Sequence, residues 1–283
     1  MNRLSDIGTI KDILHRHGFK FSKALGQNFL INPTVCPRMA ELSGAGEGVG
    51  VIEIGPGIGV LTNELCRLAE KVVAVELDKR LLPVLDETLA EYNNVKIINA
   101  DVLELDLNKL IADEFGDMQV VICANLPYYI TSPVIMKLLE DRLPISSITV
   151  MVQKEAAQRI CAPVGSRESG AVTVSVNYYA EPSLQFYVSA GSFMPAPKVD
   201  SAVIRLDIRE NPPVSVDEKK FFAVVKAAFS QRRKVISNSL SSGLSKSKEE
   251  IIGALEAAGI EQNARAEKLS LEDFANIANN LRD

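Results

Sequence analysis

Four short stretches of this chain carry the residue types that chemistry needs. The first is Glu53-Ile54-Gly55-Pro56-Gly57-Ile58-Gly59, with glycines at alternate positions directly behind an apolar run. Glycine at a strand-to-helix turn lets the backbone bend sharply and lets a ligand come close. Glu76 closes the next apolar run, and Asp101 closes the one after it in Asn99-Ala100-Asp101-Val102-Leu103. A carboxylate at the first of these positions can accept hydrogen bonds from ribose hydroxyls, and one at the second from an adenine amino group. Each acid alone reads as a surface residue at a strand end. Three of them beside a glycine turn point to a cofactor that contains a nucleoside. No Lys-Ser or Lys-Thr pair follows the glycines, so a phosphate clamp is not expected.

The fourth stretch, Asn125-Leu126-Pro127-Tyr128, ends a further apolar run. By itself it is a proline turn after a strand. It also resembles the Asn/Asp-Pro-Pro-Tyr signature of methyltransferases that act on planar exocyclic amino groups. The nitrogen of such a group is a poor nucleophile, because its lone pair is delocalised into the ring. Hydrogen bonds from the amine to the Asn125 side-chain oxygen and the Leu126 carbonyl would favour a tetrahedral nitrogen. Pro127 would stiffen the turn that holds this carbonyl, and Tyr128 can stack on the base. No base need act before attack, since the proton becomes acidic once the nitrogen is methylated. Catalysis would rest on positioning and electrostatics.

Such groups need a scaffold that brings several strand ends together. Apolar, β-branched runs at Val49–Ile54, Lys71–Leu77, Val95–Ala100, Gln119–Ala124 and Ile148–Val152 alternate with helical patterns near 59–69, 79–90, 106–115 and 132–141. Continuous apolar strands separated by amphipathic helices predict a parallel sheet covered on both faces. Leu184–Val188 and Ala202–Ile208 predict an antiparallel finish to it. Ala171–Val176 alternates like a strand but fits a buried helix equally well. Beyond Asn211-Pro212-Pro213 the pattern turns helical, with capping boxes expected at Ser215-x-x-Glu218, Ser247-x-x-Glu250 and Ser270-x-x-Asp273. Phe222, Val225 and Phe229 should form one buried stripe. The expectation is an α/β domain over 1–210 and a small helical domain over 211–283.

Bulk properties exclude several classes. The 283 residues are 47% hydrophobic and 24% charged, ordinary for a globular protein. No run is long enough to span a membrane, and Met1–Asp6 lacks the layout of a secretory signal. Cys36, Cys66, Cys123 and Cys161 are widely spaced and the only histidines are His15 and His17, so no metal site is expected. Free thiols fit a reducing compartment, and the cytoplasm is expected. The net charge of −5 argues against a polyanion partner until its distribution is considered. Residues 61–120 hold 6 basic and 13 acidic side chains, which leaves the remainder nearly balanced. Arg16, Lys20, Lys23 and Arg38 form one acid-free basic stretch, and eight bases from Lys219 to Lys248 form another. Two such stretches favour a nucleic-acid partner.

The glycine spacing differs from the dinucleotide Gly-x-Gly-x-x-Gly and is similar to the first motif of Rossmann-like, class I methyltransferases, whose cofactor is S-adenosylmethionine. Three further stretches narrow the resemblance: Lys23-Ala24-Leu25-Gly26-Gln27-Asn28-Phe29-Leu30, the run Phe193–Val203 containing Pro-Lys-Val-Asp-Ser, and Phe229-Ser230-Gln231-Arg232-Arg233-Lys234. Together, from about Lys23 to the C-terminus, they resemble the bacterial small-subunit ribosomal RNA adenine N6-dimethyltransferases. That resemblance implies that Gln27, Asn28 and Leu30 close over S-adenosylmethionine. Glu53, Gly55, Gly57, Glu76, Leu77, Asp101, Val102 and Asn125 would line the rest of its pocket. Phe193 would stack on the target adenine opposite Tyr128, and no metal is involved.

The implied substrate is a pair of adjacent adenosines in a hairpin loop near the 3′ end of 16S ribosomal RNA, each dimethylated within the small subunit or its precursor. The implied enzyme is a monomer, and Lys23, Lys198, Arg233 and Lys234 would reach RNA phosphates. Arg232, Arg233 and Lys234 are expected to continue the helix, where consecutive residues point about 100° apart and cannot all face one way. Arg232 would then turn inward while Arg233 and Lys234 met RNA. Val235-Ile236-Ser237-Asn238 is less basic than that family's pattern, so the N-terminal arm would share the load. The competing readings are a 23S ribosomal RNA adenine methylase, a DNA adenine methylase and a non-catalytic ribosome-assembly factor.

Overall fold

The computed structural model describes residues 3–19, 22, 26–231 and 233–281. Its strands are β1 (Phe29–Leu30), β2 (Val49–Ile54), β3 (Lys71–Glu76), β4 (Val95–Asn99), β5 (Gln119–Asn125), β6 (Ser147–Gln153), β7 (Ala180–Val188), β8 (Phe193–Met194) and β9 (Ser201–Ile208). The first helices are α1 (Ile7–Arg16), α2 (Val35–Ser43), α3 (Val60–Leu68), α4 (Leu82–Thr88), α5 (Leu107–Phe115) and α6 (Thr131–Glu140). They are followed by α7 (Lys154–Ile160), α8 (Ala171–Tyr179), α9 (Glu218–Phe229), α10 (Ile236–Leu244), α11 (Lys248–Ala257) and α12 (Leu271–Asn280). The chain divides into two compact units, one of residues 1–157 and 183–208, the other of 158–182 and 209–283.

The first unit is built on a seven-stranded sheet in the order β4-β3-β2-β5-β6-β9-β7. β2 pairs in parallel with β3 on one side and with β5 on the other. The strand order therefore reverses beside β2, where a crevice opens at the carboxyl ends of a parallel sheet. β9 runs antiparallel to β6, with Gln153 opposite Ser201. The central strands are buried almost throughout because helices cover both faces, which is why their sequences read as continuous Val and Ile. A second, two-stranded sheet joins β1 to β8.

The second unit is helical apart from the start of β7 and is held by aromatic packing. The rings of Tyr178 and Phe221 stack at 4.8 Å between centroids, and those of Tyr179 and Phe222 at 5.3 Å. These contacts place 158–182 with the C-terminal helices, so a single cut after residue 210 does not describe the chain. Ala171–Tyr179 is a helix, entered through the Thr173 hydroxyl, which accepts from the Gly170 amide at 3.0 Å. Capping boxes form at Ser247 and Ser270. The one expected at Ser215 does not: Asp217 caps α9 by accepting from the Lys220 amide, while Glu218 accepts from the Tyr179 hydroxyl at 2.7 Å. The buried face of α9 is Phe221, Val224, Val225 and Ala228, whereas Phe222 and Phe229 are only half-buried.

Candidate active site

The carboxyl ends of β2 to β5 deliver their acids and amides to one cleft, and the glycine turn forms its floor. Gly55, Gly57 and Gly59 all have positive φ, at 71°, 61° and 87°. L side chains rarely adopt that region. A Cβ on Gly57 would sit 3.1 Å from the Phe29 ring, and one on Gly55 would meet no atom within 4 Å and would project into open space. The cleft encloses about 1080 Å³ of empty space, including its open mouth, enough for a small-molecule cofactor. All the residues assigned above to the cofactor or to the amine line it, namely Gln27, Asn28, Leu30, Glu53, Gly55, Gly57, Glu76, Leu77, Asp101, Val102 and Asn125, with Leu126, Pro127, Tyr128 and Phe193.

Each polar group there is held by its neighbours. Glu76 accepts from the Asp78 amide at 2.7 Å through one oxygen and from the Gly57 amide at 3.4 Å through the other. Burial raises its pKa, and those two N–H groups oppose the rise. Glu53 is 1% exposed, and its Oε2 has no hydrogen-bond partner among the described residues. Burial pushes the Glu53 carboxyl up to about 8, with the Glu76 charge adding to the effect. Asp101 accepts from the Leu103 amide at 2.9 Å through Oδ1.

Asn125 ends β5 opposite Met151 of β6, and the Leu126 amide donates to the Met151 carbonyl at 3.2 Å. The Pro127 carbonyl then accepts from the Ile130 amide at 3.1 Å, turning the chain into a short 3-10 segment over Tyr128–Ile130. The Tyr128 phenol oxygen lies 2.7 Å from Ser201 Oγ. Phe193, on β8, is paired with Leu30 on β1.

Sequence reading missed several contributors. Asp78 is one: it accepts at 2.8 Å from Nε2 of Gln27, a residue expected at the cofactor, whose Oε1 accepts from the Ser22 amide at 2.8 Å. Asp78 is itself pulled down to about 2 by the Arg80 guanidinium. An acid two residues past Glu76 was the available signal. Ile58 and Leu81 build the apolar wall, and Tyr129, 55% exposed, stands at the cleft beside Tyr128.

The basic residues lie elsewhere. Lys198 is exposed in the loop before β9 and is not among the cleft residues. Arg233 and Lys234 are exposed in the turn between α9 and α10. That corrects the expectation of a continuous helix there: α9 ends at Phe229, so helical spacing does not set the directions of Arg233 and Lys234. Lys23 and Arg232 fall outside the described residues. No group of His, Cys, Asp and Glu that could hold a metal ion occurs among the described residues, and no helix among them is long and apolar enough to cross a membrane.

Comparison with known proteins gives this geometry relatives. The family described as ribosomal RNA adenine dimethylase matches residues 18–283. Ribosomal RNA small subunit methyltransferase A of Geobacillus thermodenitrificans is 50% identical over 279 residues, covering 97% of this chain and 95% of its own. The protein of the same name from Alkaliphilus oremlandii is 46% identical over 283 residues, covering 99% of each. Among solved structures, a dimethyladenosine transferase from Plasmodium falciparum superposes with a TM-score of 0.74 at 25% identity, over 88% of this chain and 95% of that one. The 23S rRNA methyltransferase ErmE superposes at 0.68 with 28% identity, over 90% of this chain and 99% of its own. With the match running from residue 18 to the last residue and relatives near half identity, this chain belongs to the ribosomal RNA adenine dimethylase family.

Proposed function

We propose that this protein transfers methyl groups from S-adenosylmethionine to the N6 amino groups of two adjacent adenosines in a hairpin loop near the 3′ end of 16S ribosomal RNA, dimethylating each. One juxtaposition carries the reading. Asn125-Leu126-Pro127-Tyr128 walls the same cleft as the glycine turn and the strand-end acids.

The cleft fits the cofactor on its own evidence. Glu53 offers a buried oxygen without a partner, suited to an ammonium group. Gly55 leaves the floor open, as a close-lying ligand requires. Glu76 would hold the ribose, Asp101 the adenine amino group, and Asn28 and Leu30 the covering side. Gln27 would act by tying the arm to Asp78. When bound, the cofactor supplies an electrophilic methyl group.

The chain's own residues do the rest. Asn125 Oδ1 and the Leu126 carbonyl accept the target amine's hydrogens and favour a tetrahedral nitrogen with an available lone pair. Tyr128 and Phe193 hold the base between aromatic faces. Shielding from water follows from burial: Leu126 and Phe193 are 1% and 4% exposed. Arg233 and Lys234, with Lys198, would contact phosphates and position the RNA without reading its sequence. A monomer in the cytoplasm, where small subunits and their precursors are found in bacteria, completes the reading.

The curated relatives are named for the small subunit, which favours it over the large subunit named for ErmE. Methyl transfer to undermethylated small subunits tests the proposal, with large subunits and DNA as controls. Incorporation is expected in small subunits alone, and it should vanish in Asn125→Ala. Binding without transfer would instead favour an assembly factor, and transfer to large subunits a 23S enzyme.

A further inference from the structure

Tyr128 is more than half of a stacking pair: its phenol oxygen is tied to a residue from a distant part of the chain. Ser201 opens β9 and is wholly buried. Its Oγ lies 2.7 Å from the Tyr128 hydroxyl, so one of the two donates to the other. Ser201 is held in turn by the sheet, opposite Gln153 at the end of β6. β6 also supplies Met151, whose carbonyl accepts from the Leu126 amide. The same strand thus holds the amine-accepting turn through Leu126 and, through β9, the hydroxyl tip of the ring beside it.

An aromatic ring on a turn can rotate about two side-chain bonds, and only one orientation presents its face to a base in the cleft. The Tyr128–Ile130 segment constrains the backbone but leaves those rotations free. A hydrogen bond at the far tip of the ring fixes the first rotation, and with it where the ring lies, at little cost, because Ser201 lies on a paired strand. The second rotation turns the ring about the axis through that oxygen and is left to the packing on its faces. Burial raises the Tyr128 pKa, so the phenol remains neutral and able to donate or accept near neutral pH.

We infer that Ser201 is a positioning residue for methyl transfer, holding the Tyr128 ring at the place from which it stacks on the target adenine. The inference rests on the functional reading above. It assigns the serine of the Pro-Lys-Val-Asp-Ser stretch a task that acts through Tyr128 rather than on the RNA.

The test is a double-mutant cycle of Ser201→Ala and Tyr128→Phe in the full chain, assayed on undermethylated small subunits, with thermal melts of each variant. Tyr128→Phe removes the same bond while leaving β9 untouched and the ring in place, so it controls for any effect of Ser201→Ala on folding. Each single change should lower kcat about three- to tenfold, the worth of one neutral hydrogen bond, with KM for the subunit unchanged. The double variant should be no slower than the worse single one. A Ser201→Ala enzyme at the wild-type kcat overturns the inference, and so does a double variant whose loss is the product of the two single losses. Wild-type activity on small subunits is the control for the underlying reading. Its absence overturns that reading and the tether with it, whereas wild-type activity beside a full-rate Ser201→Ala overturns the tether alone.

Discussion

Leu30 and Phe193 are direct partners in an antiparallel pair, which clasps the N-terminal arm to the loop before β9 across one side of the cleft. The clasp puts a residue assigned to the cofactor beside one assigned to the target base. Phe193→Leu keeps the apolar bulk and should cost less than about 1.5 kcal/mol of stability. Transfer to small subunits should nevertheless fall about tenfold or more, since an aliphatic side chain offers no stacking face. Full activity in this variant would remove Phe193 from the base site.

Glu76 has a second duty besides the ribose, because its two oxygens accept from the Asp78 and Gly57 amides and so shape the turn itself. Glu76→Gln preserves size and one acceptor but loses the charge. Its affinity for S-adenosylmethionine should drop by about 1–3 kcal/mol, as for a charge-assisted hydrogen bond. Titration calorimetry reads this directly, and an unchanged Kd would rule out the ribose role.

Glu53 gives the free protein a signature in pH. In the unfolded chain this carboxyl ionises near its ordinary 4.5, whereas burial in the fold raises it to about 8. Between those values the folded protein keeps a proton that the unfolded chain has lost. The Glu53 contribution to stability therefore declines as pH rises through that window and levels off above it. Glu53→Gln removes the titration, so its stability relative to wild type should improve from pH 5 to pH 8. Chemical denaturation across that range checks it; a constant difference would mean that Glu53 is ionised throughout.

Arg233 and Lys234 are both exposed in the turn after α9. If both meet phosphates, Arg233→Ala and Lys234→Ala should each flatten the salt dependence of subunit binding by about one unit of slope. Their melting temperatures should match wild type. A variant with an unaltered slope carries no phosphate contact.

The parts of this molecule that could be read in advance are those whose burial is uniform or strictly periodic. β2 is buried on both faces and appears at its expected bounds of Val49–Ile54. The cleft was legible because its polar groups sit at strand ends, where a change from apolar to acidic is visible in sequence. The β1–β8 clasp was not legible, since two residues per strand make no pattern. α8 was ambiguous because Thr173–Val176, Tyr178 and Tyr179 are all buried, leaving no polar face to reveal the helical period. The tether between Tyr128 and Ser201 could not be read either, because serine carries no signal until its partner is known.

The division of the chain into interleaved segments matters while the protein is being made. Residues 158–182 are synthesised before β9, yet they belong with helices that begin only at Glu218. At the moment β9 emerges and can pair with β6 to complete the sheet, Tyr178 and Tyr179 still await Phe221 and Phe222. A chain ending near residue 210 would therefore hold the strands that build the cleft and an uncovered aromatic face, the kind of surface that recruits chaperones. In chain order the strands of the core are complete before the helix that covers Tyr178 and Tyr179 has been made.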